Sequence, residues 1–132
     1  MKIGKLSELS HCSIQTIRYY EKEGLIDPPR RSEGNFRLYD PNALDRLQFI
    51  RRCRTLDISL AEIHQLLDLQ LTPSESCNQV STMIDSHILD VQSKIRELKA
   101  LESELKGLRK KCHDATVIDE CGIMANLTNN DG

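Results

Sequence analysis

Apolar residues recur at helical spacing through the first seventy positions and are interrupted by turn formers. Ile3, Leu6 and Leu9 stand three apart, and Ser10-His11-Cys12 then breaks the pattern. Ser13 is placed to cap a second helix opening at Ile14, with Ile14 and Ile17 one turn apart and pointing inward. Gly24 offers that helix a left-handed stop over which Leu25 can close. Two short helices about a tight turn make the helix-turn-helix pattern. Pro28 to Asn35 is rich in turn formers, and Phe36-Arg37-Leu38-Tyr39 then alternates. Alternation predicts a small β-hairpin with Phe36 and Leu38 on one side, Arg37 and Tyr39 on the other, and Arg30 and Arg31 near the tip. Asp40 and Pro41 open a third helix with Leu44, Leu47 and Ile50 inward. Ser59-Leu60-Ala61-Glu62 is a capping box that starts a fourth, with Ile63, Leu66 and Leu67 inward.

Beyond that unit the pattern narrows to one stripe. Val80, Ile84, Ile88, Val91, Ile95, Leu98, Leu101, Leu105 and Leu108 follow spacings of three and four, close to a heptad seam, with one irregularity at Leu98–Leu101. A helix of roughly 32 residues is about 48 Å long, too long for a domain of seventy residues to cover, so a second copy is its expected partner. The predicted organisation is a mainly helical winged helix-turn-helix domain over 1–70, a linker and helix start over 71–79, a dimerisation helix over 80–111, and a loop and tail over 112–132.

Charge sharpens this division. The net charge is −2, yet residues 1–58 sum to +3 and residues 59–132 to −5. A basic first half suits an anionic partner. Arg46, Arg51, Arg52 and Arg54 add to it on the third helix. No uninterrupted apolar run exceeds three residues, which excludes a transmembrane helix and a secretory signal. The second helix carries Gln15, Arg18, Tyr19 and Lys22 on one stripe. Arg can fork onto guanine or a phosphate, Gln can pair with adenine, and Tyr can donate to phosphate oxygens. A plain solvated helix face is the competing explanation for that stripe.

The five cysteines are an odd number, and nothing marks the chain as secreted, so reduced cytosolic thiols are expected. Cys12 and Cys53 have no partner at ligand spacing and read as small core residues. Three others are placed differently. Stepping back three from Val80 along the seam reaches Cys77, and stepping on four from Leu108 reaches Cys112; Cys121 follows after eight residues. Cys77 and Cys112 are 35 positions apart, about 52 Å along one helix, so one chain cannot bring both to an ion. A parallel pair keeps them equally distant. An antiparallel pair places Cys77 of one subunit beside Cys112 and Cys121 of the other, giving two identical three-thiol sites.

Ser76 is the expected N-cap beside Cys77, where the helix terminus lowers a thiol pKa, and Arg109, Lys110 and Lys111 are expected to do the same for Cys112. Soft thiolates select thiophilic ions, and three of them suit a divalent charge. Zinc would want a fourth ligand, for which His113 or Asp119 is available. His87 with Glu62 is a weaker candidate for a subsidiary site.

The run Thr16-Ile17-Arg18-Tyr19-Tyr20-Glu21-Lys22-Glu23-Gly24-Leu25, then Arg31-Ser32-Glu33-Gly34-Asn35-Phe36-Arg37-Leu38-Tyr39, resembles the MerR-type transcriptional regulators, and with the coiled coil and cysteine loop the likeness covers almost the whole chain. The resemblance implies a homodimer joined by an antiparallel coiled coil. It would bind a pseudo-palindromic promoter between elements set too far apart, and with effector bound would untwist it for RNA polymerase. By position it assigns Arg18 and Tyr19 to the recognition helix, and Tyr20, Arg31, Asn35, Arg37 and Tyr39 to phosphate or wing contacts; Gln15, Thr16 and Lys22 complete the candidate DNA-binding set. Cys77 goes with the divalent-ion sensors of that family. Arg52-Cys53-Arg54-Thr55-Leu56-Asp57 and Cys121-Gly122-Ile123 look most like the cadmium- and lead-responsive branch, with mercury and zinc as alternatives. A thiol-based redox or electrophile sensor on the same fold is the second reading. A zinc enzyme is the third and is not favoured, because the end of a coiled coil offers no substrate cleft.

Overall fold

The computed structural model describes residues 1–31, 33–34, 37–114 and 117–129, which fall into two units, Met1–Ser76 and Cys77–Gly132. In the first unit, helix α1 (Ile3–Ser10) and helix α2 (Ile14–Lys22) form the helix-turn-helix, strands β1 (Arg30–Arg31) and β2 (Arg37–Leu38) the wing, and helices α3 (Asn42–Thr55) and α4 (Leu60–Leu69) the support behind it. Its core is made by Leu6, Ile17, Leu25, Leu47, Ile50 and Ile63, all fully buried.

Local chemistry sets the element ends. The Ser13 hydroxyl accepts the Thr16 N–H at 3.0 Å and starts α2. At the other end Gly24 takes φ +78°, while Leu25 N–H donates to the Tyr20 carbonyl and Gly24 N–H to that of Glu21. Those two bonds form the Schellman closure that only a residue free of a Cβ makes without strain. Asp40 accepts the Asn42 N–H at 2.8 Å ahead of α3. The capping box of Ser59 and Glu62 is present in both directions.

Two positions differ from the pattern. Ile14, the first residue of α2, is 40% exposed, whereas Ile17 one turn later is fully buried. Tyr39 is buried although alternation placed it on the same side as Arg37, which is exposed. The strand ends at Leu38, and the Tyr39 N–H turns to donate to the Met1 carbonyl at 2.7 Å. The strands pair antiparallel with Arg30 opposite Leu38 and Arg31 opposite Arg37. Phe36 lies outside the described residues.

The second unit is one long helix, α5 (Asn78–Arg109), of 32 residues, followed by a 3₁₀ turn at Ile118–Glu120 and helix α6 (Gly122–Thr128), which packs against α5. Cys77, not Ser76, occupies the N-cap position of α5. Helix α6 was not foreseen from the sequence, where 112–132 read as loop and tail. Its seven residues are too few to show a helical repeat.

Candidate metal centre and nucleic-acid interface

The recognition helix α2 turns its polar stripe outward: Gln15, Arg18, Tyr19 and Lys22 are exposed. Thr16 and Tyr20 are partly covered. The Thr16 hydroxyl oxygen accepts from the Ser13 hydroxyl at 2.8 Å, so it also serves the helix start. Tyr20 lies 5.9 Å from Tyr19, ring centre to ring centre, and its partial burial raises its phenol pKa.

On the wing, Arg31 and Arg37 are exposed and face each other across the two strands, while Asn35 lies outside the described residues. Tyr39 links wing and recognition helix. Its hydroxyl donates to Glu21 Oε1 at 2.7 Å, and its pKa is pushed up to about 12, first by burial, then by the hydrogen bond and charge of Glu21. Arg18 and Arg37 pull that pKa the other way, so both guanidinium groups act on the same phenol. The unit therefore groups cations from α2 and the wing around one buried tyrosine, a surface suited to phosphate oxygens and base edges.

The second unit carries the thiols. Cys77 is exposed at the start of α5, with its sulfur 4.0 Å from the Ser81 hydroxyl. Cys112 and Cys121 come near each other at the other end of the helix, where the backbone of Gly122 lies against the carbonyl of Lys111. The Cys121 pKa is lowered chiefly by the Met124 backbone N–H, against a partial burial that raises it; the Ile123 N–H, Cys112 and the Arg109 guanidinium add to the lowering. Arg109 also donates to the Cys112 carbonyl at 3.0 Å, fastening the last turn of α5 to the loop.

Among the described residues no three metal-ligating side chains of one chain come together. Cys112 and Cys121 lie beside the Lys111–Gly122 contact, and Cys77 stands a helix length away, about 48 Å for 32 residues at 1.5 Å each. His113 and Asp119 are exposed. The donor set of soft sulfurs, one of them biased toward thiolate, fits a thiophilic ion.

Cys12 and Cys53 are buried, and burial raises the Cys53 pKa, so that thiol is held as a neutral core group. Sequence reasoning missed two partners. Glu21 gave no signal beyond being a charge on the inner side of α2. Gly122 was visible only as part of a motif, and the close backbone approach it makes to Lys111 had no local signal.

Helix-turn-helix, two-stranded wing and long helix together match a known fold. The description "MerR HTH family regulatory protein" fits residues 1–70, and "MerR, DNA binding" fits residues 44–108. This chain belongs to the MerR family. Among its MerR-family relatives is the transcription regulator PbrR691 of Ralstonia metallidurans, solved in complex with lead(II). It superposes with a TM-score of 0.86 at 52% identity, covering 96% of this chain and 98% of that one. The HTH-type transcriptional regulator ZntR homolog of Haemophilus influenzae is 47% identical over 111 residues, 84% of this chain and 82% of its own. MerR of Bacillus megaterium, solved with mercury(II), gives a TM-score of 0.69 at 32% identity over 96% of this chain and 98% of that one. The chain is thus grouped with heavy-metal-responsive MerR regulators and is a transcriptional regulator, not an enzyme. Family members bind promoter DNA as dimers. No helix of the described residues is long and apolar enough to cross a membrane.

Proposed function

We propose that this chain is a cytoplasmic, homodimeric metal sensor that activates metal-resistance genes when a thiophilic divalent ion, cadmium(II) or lead(II) first, mercury(II) or zinc(II) next, is held by Cys77 of one subunit with Cys112 and Cys121 of the other. The observation that carries this reading is the backbone contact of Gly122 with Lys111, which brings the neighbouring Cys121 and Cys112 together at one end of a 32-residue helix whose other end begins at Cys77. The likeness to a lead(II)-bound regulator at 52% identity supports the choice of ion.

The seam supports the pairing. Ile84, Ile88, Val91, Ile95, Leu98, Leu101 and Leu105 are 39 to 64% exposed along α5. Covering these seven in each subunit at roughly 1 kcal/mol apiece returns on the order of 10 kcal/mol before association costs. An antiparallel pairing covers them and brings the two ends of α5 together. On the DNA side, Gln15, Thr16, Arg18, Tyr19, Tyr20 and Lys22 are assigned to the operator face, with Arg31 and Arg37 on the flanking backbone and Tyr39 holding the wing in place. RNA polymerase is the partner that reads the result, through promoter DNA distorted by the metallated dimer. Metal can switch the dimer only by its difference in affinity for two dimer states.

The test is a titration of the reduced dimer with cadmium, lead, mercury and zinc against competing chelators, following thiolate-to-metal charge-transfer absorption in the wild type and in Cys77→Ser. Up to two ions per dimer, weakened at least tenfold without Cys77, is the expected result. Binding that is absent or indifferent to Cys77 overturns the shared site. The lowered pKa of Cys121 favours the redox-sensor alternative as the next reading in that event.

A further inference from the structure

Gly122 opens α6 directly after Cys121, and its backbone lies against the carbonyl of Lys111, the residue directly before Cys112. A Cβ at position 122 would stand 1.9 Å from the Lys111 oxygen, 2.9 Å from its carbonyl carbon and 3.4 Å from its Cβ. The obstacle is backbone, so no rotation of a flexible side chain relieves it. Nothing about φ requires glycine here, in contrast to Gly24 with its φ of +78°. The requirement is space alone.

The contact therefore joins the two residues that flank the thiol pair on either side of an eight-residue loop. We propose that Gly122 is a positioning residue of the metal centre: its missing Cβ lets α6 seat on the end of α5 and sets the separation of Cys112 and Cys121. This rests on the metal-sensing reading and deepens it. Any side chain at 122 must push the start of α6 away by about 1.5 Å to move from 1.9 Å to an ordinary contact of 3.4 Å with the Lys111 oxygen. Metal–ligand distances tolerate about 0.2 Å, so that displacement breaks a preformed two-thiolate grip. The bond from Arg109 to the Cys112 carbonyl holds the α5 side of the same junction, which leaves α6 as the side that moves.

Gly122→Ala is compared with Gly107→Ala, which makes the same chemical change on α5 where nothing lies within 4 Å of the added carbon. Cadmium(II) affinity by chelator competition and charge-transfer intensity per bound ion are read for both, with dimer mass, far-ultraviolet dichroism and DNA affinity of the metal-free protein alongside. Gly122→Ala is expected to weaken cadmium(II) at least tenfold and to lower the intensity per ion, with the metal-free properties unchanged; Gly107→Ala is expected to bind as the wild type. As a second measure free of any metal, the rate at which diamide joins Cys112 to Cys121 in the folded dimer should fall several-fold in Gly122→Ala. Wild-type affinity and an unchanged disulfide rate in Gly122→Ala overturn the proposal, as does an equal loss in Gly107→Ala. A wild-type protein that binds no cadmium(II), yet still loses disulfide rate on Gly122→Ala, overturns the metal reading and leaves the positioning role standing.

Discussion

The phenol of Tyr39, at the end of the wing, donates to the carboxylate of Glu21 on the recognition helix at 2.7 Å, across 18 positions of sequence. The bond fixes helix α2 and the wing relative to each other. It also places a negative charge under the two arginines, Arg18 and Arg37, that act on the same phenol.

Tyr39→Phe keeps the buried ring and removes the bond. Loss of one partly buried hydrogen bond to a charged group costs about 1 to 2 kcal/mol, and chemical denaturation should report it. The raised phenol pKa adds a pH signature. Because the folded protein holds the proton more tightly than the unfolded chain, this contribution is complete below pH 10 and is lost as pH rises toward about 12. The difference in stability between wild type and Tyr39→Phe should therefore shrink over that interval; a difference that stays constant would refute the coupling.

Shared sites make a complementation test available. In a heterodimer of Cys77→Ser with a Cys112→Ser/Cys121→Ser subunit, an antiparallel pairing leaves one site with no thiols and the other whole. One ion per heterodimer is expected at near wild-type affinity, while neither parent homodimer binds comparably. Sites confined to one chain would instead give no recovery on mixing.

Ile95 lies on the seam and is 46% exposed on the single chain. Ile95→Asp puts a carboxylate into the pairing face of both subunits, at a cost of about 2 kcal/mol each. The dimer should weaken on the order of a thousandfold, visible by sedimentation equilibrium. A dimer that persists unchanged would mean that α5 pairs along another face.

The lowered pKa of Cys121 predicts its reactivity. Site-resolved alkylation of the metal-free, reduced protein should show Cys121 reacting to a lower pH than an ordinary thiol. Cys112→Ala should move that midpoint upward, and Arg109→Ala should move it by less, following the order of their contributions. An unmoved midpoint in Cys112→Ala would place the two sulfurs out of hydrogen-bond reach.

Much of this was legible locally. Ser13, Gly24 and the Ser59–Glu62 box act on backbone groups within four residues of themselves, so their chemistry is written in adjacent letters. The α5 stripe was legible because 32 residues repeat a period many times. Failures fell where an element is too short to average over. Ile14 at the tip of α2 and Tyr39 one step past a two-residue strand both left their periodic faces, and the seven-residue α6 had no period to read.

Sequence by itself determined most helix ends, the wing, the apolar stripe of α5 and the distance between Cys77 and Cys112, since each follows from capping chemistry, periodicity or a fixed rise per residue. Tertiary structure decided that Cys112 and Cys121 meet, that Tyr39 reaches Glu21, and that Gly122 lies on the Lys111 carbonyl. These are contacts between segments whose separation in space is set by packing, and no local spacing encodes where a loop closes.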